Sequence, residues 1–275
     1  MVKLVERTYG DEIDTRIRAI STRKNDAGFD PFGFDPETAR TVLALITFLH
    51  RTYFRTQCFG LENIPRGRAL FVANHSGQVP LDGVLIAAAL LLDIDPPVFP
   101  RSMVEKWAQK LPFFSVLFPR LGQVLGAPEN ARRLLASEHP LLVFPEGARG
   151  ISKPFQRRYQ LEEFGLGFMR LALEARAPIV PVAVIGGEEQ YPAIGNLKGL
   201  ARLLGMPAFP VLPQLLLGVP LPLPTRYRLH FGEPLHFEGD PDEDDSEIQN
   251  RVSQVRGAVD QLLRKGLAAR QHVFW

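Results

Sequence analysis

Residues 69–82 read ALFVANHSGQVPLD, and residues 141–149 read LLVFPEGAR. Each stretch begins with a short apolar run that is typical of a buried strand, and each continues into a loop with polar side chains. Open α/β sheets place their chemistry at the carboxyl ends of their strands. The two stretches therefore predict two buried strands whose following loops carry the function of the protein.

Strand and helix patterns alternate along the rest of the chain, and this alternation is typical of an α/β sheet with parallel pairs. We predict an α/β fold: a single domain with a mainly parallel central sheet flanked by helices, and an N-terminal helical element. Residues 1–35 are expected to form a loose N-terminal arm, and residues 36–275 the functional domain. The predicted strands are residues 55–61, 69–73, 141–144, 179–185 and 226–231. The predicted helices are residues 36–54, 82–93, 105–110, 113–117, 128–137, 162–175 and a last one opened by the capping-box spacing from Ser246 to Gln249.

The composition excludes several classes of protein. The net charge is +2, but residues 238–247 hold seven acids, and without them 32 bases face 23 acids. This diffuse positive charge suits an anionic lipid surface or a phosphorylated substrate, and it predicts no nucleic-acid partner. The single cysteine, Cys58, excludes a disulfide framework, and the histidines lack the paired spacing of a zinc site. The N-terminus has no apolar segment of the secretory type, and no apolar run reaches the length of a membrane-spanning helix.

The two loops carry residue types that fit catalysis. A histidine at a strand end and an aspartate at the next helix start, His75 and Asp82, can meet as a general base and its orienting partner. Asp82 is also a residue type that commonly caps a helix. The Glu146–Gly147–Arg149 loop offers a guanidinium and close-packed backbone amides for an anion, and it is equally typical of an ordinary strand-to-loop turn.

Taken together, these motifs resemble those of the glycerolipid acyltransferases, the lysophosphatidate-acyltransferase-like family. Residues 187–197 and the apolar stretch after them also resemble the monoacylglycerol and diacylglycerol acyltransferase-like branch. That family combines Asn-His-x4-Asp, Phe-Pro-Glu-Gly-Thr-Arg and an Ile-Val-Pro-Val strand, and this chain has Asn74-His75, the 144–149 loop and IVPV at residues 179–182. The resemblance covers about residues 55–235. It implies His75 and Asp82 as catalytic residues, and Asn74, Glu146, Gly147 and Arg149 as substrate-binding residues. It also implies an acyl thioester co-substrate, acyl-CoA or acyl carrier protein, with no cofactor and no metal.

The chain departs from the family pattern at two places. Six residues separate His75 from Asp82 where the family has four, and Pro128 stands where the second family block has an arginine. Because that arginine helps to hold the acceptor phosphate in the family, its replacement keeps a neutral acceptor open. Arg101 and Arg120 are nearby basic residues and are candidates for a substrate ligand.

The expected function is transfer of a fatty acyl group to the hydroxyl of a lysophospholipid or another glycerolipid. The alternatives are a neutral-lipid acyltransferase that uses monoacylglycerol, diacylglycerol or fatty alcohol, an acyl-thioester hydrolase, and a non-catalytic lipid-binding α/β protein. We expect a cytoplasmic protein held peripherally on the inner face of a membrane, because residues 205–224 are apolar but broken by prolines. The apolar run 41–49 and the end of the chain would assist. The equally open alternative is that all these apolar segments pack into the core. The oligomeric state is not predicted.

Overall fold

The computed structural model describes residues 2–20, 28–77, 79, 81–104, 114–203, 208–218 and 221–274. Within these residues the centre of the molecule is a seven-stranded sheet. Its strands are β1 (Gln57–Phe59), β2 (Leu70–Ala73), β3 (Arg101–Val104), β4 (Val124–Leu125), β5 (Leu141–Val143), β6 (Ile179–Ile185) and β9 (Arg228–Phe231). A separate antiparallel pair joins β7 (Gly195–Asn196) to β8 (Pro210–Val211).

The helices lie around this sheet. They are α1 (Val2–Ala19), α2 (Pro36–Phe48), α3 (Leu81–Leu92), α4 (Phe114–Arg120), α5 (Pro128–Ala136), α6 (Ala148–Ile151), α7 (Gly167–Ala175), α8 (Gly187–Gln190), α9 (Lys198–Leu203), α10 (Pro213–Leu216) and α11 (Asp245–Ala268). A π-helical turn, Leu49–Tyr53, extends α2. Among the described residues, no helix combines the length and apolar character needed to cross a bilayer.

The strand order is β1-β9-β6-β2-β5-β3-β4, and every neighbouring pair is parallel except β6 with β9. The prediction of an α/β fold with a mainly parallel sheet is therefore confirmed. Strand β2 lies at the centre, with β5 on one side and β6 on the other. Because these three strands are parallel, the loops that follow them leave the same edge of the sheet.

Both faces of the sheet are covered, which explains why its central strands are apolar without interruption. Successive side chains of a strand point to opposite faces. Leu70 and Val72 of β2 thus pack with α5, α7 and α11, whereas Phe71 and Ala73 pack with α3 and the π-helical turn. Helix α3 is apolar all round because it lies between the sheet and a third layer formed by α1 and α2.

The N-terminal segment differs from the prediction of a loose arm. Residues Val2–Ala19 form helix α1, and its Ile13 is 1% exposed in a cluster with α2 and Leu91 of α3. Ion pairs from α1 to Arg40 and Arg51 reinforce the contact. Helix α1 is held in place by long-range packing, which its polar local pattern did not indicate. The boundary drawn between residues 35 and 36 stays a prediction.

Other predicted elements changed in extent or pairing. Strand β6 has the predicted bounds, whereas the predicted strand at 55–61 is shortened to Gln57–Phe59 and pairs with β9. The predicted helix 162–175 begins only at Gly167, and in the stretch before it the N–H groups of Glu162 and Gly165 donate to the 144–149 loop. Strands β3 and β4 were not predicted, and the predicted short helix at 105–110 lies outside the described residues. Helix α11 begins at Asp245, one residue before the predicted capping box.

Candidate active site

The first loop follows β2, and its first residue, Asn74, ties two strands together. The Asn74 side chain is 1% exposed. Its Nδ2 donates to the carbonyl of Val184 at 3.1 Å, and its Oδ1 accepts from the Val184 N–H at 2.7 Å. The amide thus takes the place of a backbone pair between β2 and β6. The predicted contact of Asn74 with substrate stays a prediction.

His75 and Asp82 meet across the turn. Nδ1 of His75 lies 2.7 Å from Oδ2 of Asp82. The carboxylate is fully buried and also accepts the N–H of Ser76 at 2.8 Å through Oδ2 and that of Gly83 at 2.8 Å through Oδ1. Three donors therefore hold Asp82 in place, and the two extra residues of the loop do not separate it from the histidine.

The lengthened turn is accommodated by Gly77. This residue has φ of 80°, a left-handed conformation that favours glycine, and a Cβ there would collide with the carbonyl of Gly187. Gln190 Nε2 donates to the carbonyl of Val79 at 3.0 Å. The turn is thus packed against helix α8, which follows β6. Gln78 and Pro80 lie outside the described residues.

The His75 ring is oriented by the second loop. Phe144 stacks on the imidazole with a centroid distance of 4.2 Å and an interplanar angle of 22°. Gly150 of α6 lies so close that a Cβ there would be 2.7 Å from Cβ of His75. The imidazole therefore has little freedom to rotate away from Asp82, and its 13% side-chain exposure leaves it reachable from solvent.

Glu146 fastens the two loops to each other. Its buried carboxylate accepts the main-chain N–H of His75 at 2.9 Å and that of Glu162 at 2.8 Å. Lys153 Nζ lies 3.4 Å from the same carboxylate. The observed contacts of Glu146 thus fix the position of His75, and its predicted contact with substrate stays a prediction.

Gly147 and Arg149 lie in the same loop with different surroundings. The Gly147 N–H donates to the Phe144 carbonyl at 2.9 Å, within the turn that precedes α6. The Arg149 side chain is 58% exposed and pairs with the exposed Glu163 at 3.5 Å. Exposed ion pairs contribute little energy, and the Arg149 guanidinium also donates to the main-chain carbonyl of Glu163 at 3.0 Å. The predicted substrate-binding roles of both residues remain predictions.

The other basic candidates lie elsewhere. Arg101 is fully buried in β3 and ion-paired with Asp30, so the suggestion that it serves as a basic substrate ligand is wrong. Arg120 stacks over the ring of Phe29. Pro128 occupies the first turn of α5, where proline is favoured because its missing N–H needs no partner there.

A buried ionic cluster behind the active site was not predicted. Lys153 lies between Glu146 and Glu188, at 3.3 Å from the latter, and Glu188 also accepts the N–H of Tyr159 at 3.0 Å. Burial raises the pKa of Glu188 to about 7 in spite of Lys153. Glu188 follows β6 just as His75 follows β2, so the strand-end signal that found the first loop was also present here.

A second group of ligand-type side chains lies outside this site. Within the described part of the chain, His50, Cys58 and Asp93 are close enough together to suit a metal ion. However, His50 Nε2 is hydrogen-bonded to Asp93 at 2.7 Å, and Arg51 lies 3.7 Å from the same carboxylate. Burial raises the pKa of the Cys58 thiol. A protonated thiol and a neighbouring guanidinium both disfavour a bound cation, so we interpret the group as a hydrogen-bonded cluster.

The fold and the paired loops define an α/β protein with a histidine–aspartate pair at the carboxyl end of a central strand. The crystal structure of the 1-acyl-sn-glycerophosphate acyltransferase PlsC from Thermotoga maritima has the same fold, with a TM-score of 0.55 and 21% identity. The match covers 98% of this chain and 95% of that one. The chain belongs to the acyltransferase family, whose model matches residues 55–185. The resemblance noted in the sequence is thereby confirmed.

Three relatives share extended parts of the chain. An uncharacterised protein of Mycobacterium tuberculosis is 39% identical over 91% of this chain and 72% of its own length. A mouse protein named as a DGAT1/2-independent enzyme synthesizing storage lipids is 25% identical over 75% of this chain and 59% of its own. A probable 1-acyl-sn-glycerol-3-phosphate acyltransferase of Mycoplasma pneumoniae is 28% identical over 63% of this chain and 64% of its own.

Proposed function

We propose that the protein transfers a fatty acyl group from an acyl thioester, acyl-CoA or acyl carrier protein, to the hydroxyl of a glycerolipid, with His75 as general base. The observation that carries the proposal is the 2.7 Å contact between His75 Nδ1 and the buried Asp82 carboxylate. With its proton on Nδ1, the imidazole has its lone pair on Nε2, where it can accept a proton. Membership of the acyltransferase family supports this chemistry.

The reaction proceeds by direct attack. His75 Nε2 takes the proton of the acceptor hydroxyl as its oxygen bonds to the thioester carbonyl carbon. The carbon–sulfur bond then breaks, and the departing thiolate receives the proton from the imidazolium. Asp82 stabilises that imidazolium through Nδ1 and holds its ring orientation. No covalent acyl-enzyme is required.

The favoured acceptor is a lysophospholipid, lysophosphatidate included. Arg149 supports it, because an exposed guanidinium beside the histidine loop can bind a phosphate with two hydrogen bonds. The name of the Mycoplasma pneumoniae relative, a probable 1-acyl-sn-glycerol-3-phosphate acyltransferase, supports the same acceptor class. A neutral glycerolipid is the second candidate, since Pro128 replaces the second arginine and the mouse relative is named for the synthesis of storage lipids.

The test supplies labelled acyl-CoA with lysophosphatidate, a monoacylglycerol, a fatty alcohol or water alone. We expect acyl transfer to a glycerolipid, and His75→Ala should lower its rate by about 10²–10⁴-fold, as expected for loss of a general base. Asp82→Asn should also lower kcat. His236→Ala, which removes an exposed histidine from another loop, is the matched control and should keep wild-type activity.

The outcomes separate the candidates. Full thiol release and acyl transfer by His75→Ala would refute the general-base assignment. Lipid binding without turnover would identify a non-catalytic lipid-binding protein, and thiol release with water alone a hydrolase. Arg149→Ala should raise KM for lysophosphatidate and spare the neutral acceptor. Equal losses on both would exclude Arg149 as the phosphate ligand.

A further inference from the structure

A small apolar lobe is inserted between α8 and β9. It is formed by residues 191–203, 208–218 and 221–225, and it contains β7, α9, β8 and α10. Ten large hydrophobic side chains are exposed in the described parts of the molecule, and six of them belong to this insert lobe. The six are Ile194, Leu197, Leu203, Leu215, Leu217 and Leu221, with Leu203 and Leu217 the most exposed at 81% and 80%.

Such exposure is costly in water unless the surface has an apolar partner, because removing leucine side chains from water is favourable. The chemistry of the lobe indicates what this partner is. All six exposed side chains are aliphatic, whereas the central residues of protein interfaces are enriched in tryptophan, tyrosine and arginine. An aliphatic surface fits acyl chains.

The charge of the lobe supports a lipid partner. Residues 191–225 contain no aspartate and no glutamate, although the whole chain has 30 of them. Their two charged residues are the bases Lys198 and Arg202, and the Arg202 side chain is exposed. A positive, acid-free surface is attracted to anionic lipid headgroups. Its helices α9 and α10 have six and four residues, so the described lobe can lie on a bilayer but does not span it.

The lobe is fastened to the catalytic turn through Gln190. This fully buried side chain donates from Nε2 to the Val79 carbonyl at 3.0 Å. The Gln190 carbonyl accepts the Leu223 N–H at 2.8 Å and Nε2 of Gln214 at 3.0 Å, both from the lobe. Gln190 therefore links the lobe directly to the turn that carries His75.

We propose that the insert lobe is the surface by which the protein docks on an anionic lipid bilayer, with its exposed leucines among the acyl chains. Docking through this lobe holds the His75 turn at the interface, where a glycerolipid acceptor presents its hydroxyl. The docking surface stands on the exposed side chains and the charge of the lobe, whereas its use in catalysis rests on the proposed function.

The experiment compares the full chain with Leu203→Glu/Leu217→Glu by co-sedimentation with two kinds of vesicle, phosphatidylcholine alone and phosphatidylcholine mixed with phosphatidylglycerol. Both leucines are exposed, so the fold should persist, and an unchanged Tm verifies this. We expect at least about tenfold weaker binding to both vesicles. Arg202→Glu should weaken binding only where phosphatidylglycerol is present. Gln249→Glu/Gln254→Glu, on the exposed side of α11, adds the same charge and should bind like wild type.

Three results would overturn the proposal. The first is that Leu203→Glu/Leu217→Glu binds vesicles as tightly as the wild-type protein. The second is that the wild-type protein binds neither kind of vesicle. The third is that the wild-type protein self-associates and the double variant does not, while their vesicle binding is the same. The last result would assign the lobe to a second copy of the chain. Acyl transfer to a detergent-dispersed acceptor is measured in parallel and should be equal in wild type and the double variant. Vesicle binding as expected, with no transfer to any acceptor, would refute the proposed function and leave the docking surface intact.

Discussion

At the scale of single residues, Glu146 and Lys153 show how buried charges position the active site. A buried carboxylate is costly unless donors surround it. Glu146 has two main-chain N–H donors and the Lys153 ammonium, and one of those N–H groups belongs to His75. These donors offset the cost of burying the Glu146 carboxylate. Because one of them is the His75 N–H, the same contacts hold the histidine in position.

Glu188, on the far side of Lys153, should make stability depend on pH. Burial raises its pKa from 4.5 to about 7, while Lys153 opposes the shift and Glu146 adds to it. Between about pH 4.5 and 7 the folded protein keeps a proton that the unfolded chain has lost, so stability falls as the pH rises through this window. Above about pH 7 both states are ionised and the contribution is constant.

We therefore expect Glu188→Gln to remove part of this decrease in the free energy of unfolding. The measurement is urea denaturation at several pH values across the window. Glu247→Gln, at an exposed position in the first turn of α11, is the control and should reproduce the wild-type slope. A slope for Glu188→Gln equal to that of wild type would show that Glu188 does not carry the raised pKa.

At the scale of elements, helix α6 packs directly against His75. Gly150 allows it to approach, because a Cβ at this position would lie 2.7 Å from Cβ of His75 and 3.0 Å from Cβ of Glu146. Gly150→Ala should therefore displace His75 or the 144–149 loop. A misplacement of about 1 Å costs about 10²-fold in rate, so we expect a fall in kcat of about 10- to 100-fold.

The comparison for this variant is Gly257→Ala in α11. A Cβ at Gly257 meets no atom within 4 Å, so this substitution should keep kcat and stabilise the helix by about 0.5–1 kcal/mol. Steady-state kinetics and thermal unfolding measure both effects. If Gly150→Ala retained wild-type kcat, the packing of α6 would be irrelevant to the histidine.

At the scale of the whole molecule, α1 and α2 form a layer over α3 and make the N-terminal segment part of the fold. Ile13→Ala removes a side chain that is 1% exposed between α1, α2 and α3. Truncation of a buried isoleucine costs about 2–5 kcal/mol, and we expect a loss of unfolding free energy in this range. Asp11→Ala, at an exposed position of the same helix, should change it by less than about 0.5 kcal/mol. Equal stability of the two variants would mean that α1 is a loose arm after all.

Local pattern was sufficient for the elements at the centre of the sheet. Strand β6 could be predicted with its observed bounds, because seven consecutive buried residues leave an unbroken apolar run. The two loops could be recognised from polar residues that directly follow such runs. Strands β3 and β4 could not be predicted, since β4 has two residues and β3 contains Arg101, whose burial depends on Asp30 far away in the chain.

The amino-acid sequence alone was enough to assign the fold class, the two loops and the resemblance to an acyltransferase family, because these follow from short-range patterns and residue types. Contacts between distant segments had to be seen in three dimensions. The hydrogen bond from the His75 N–H to Glu146, the Lys153–Glu188 pair and the pairing of β1 with β9 are such contacts. Their physical reason is shared: each is decided by which distant segments pack together, and the free energy of that packing is not contained in any local stretch of the chain.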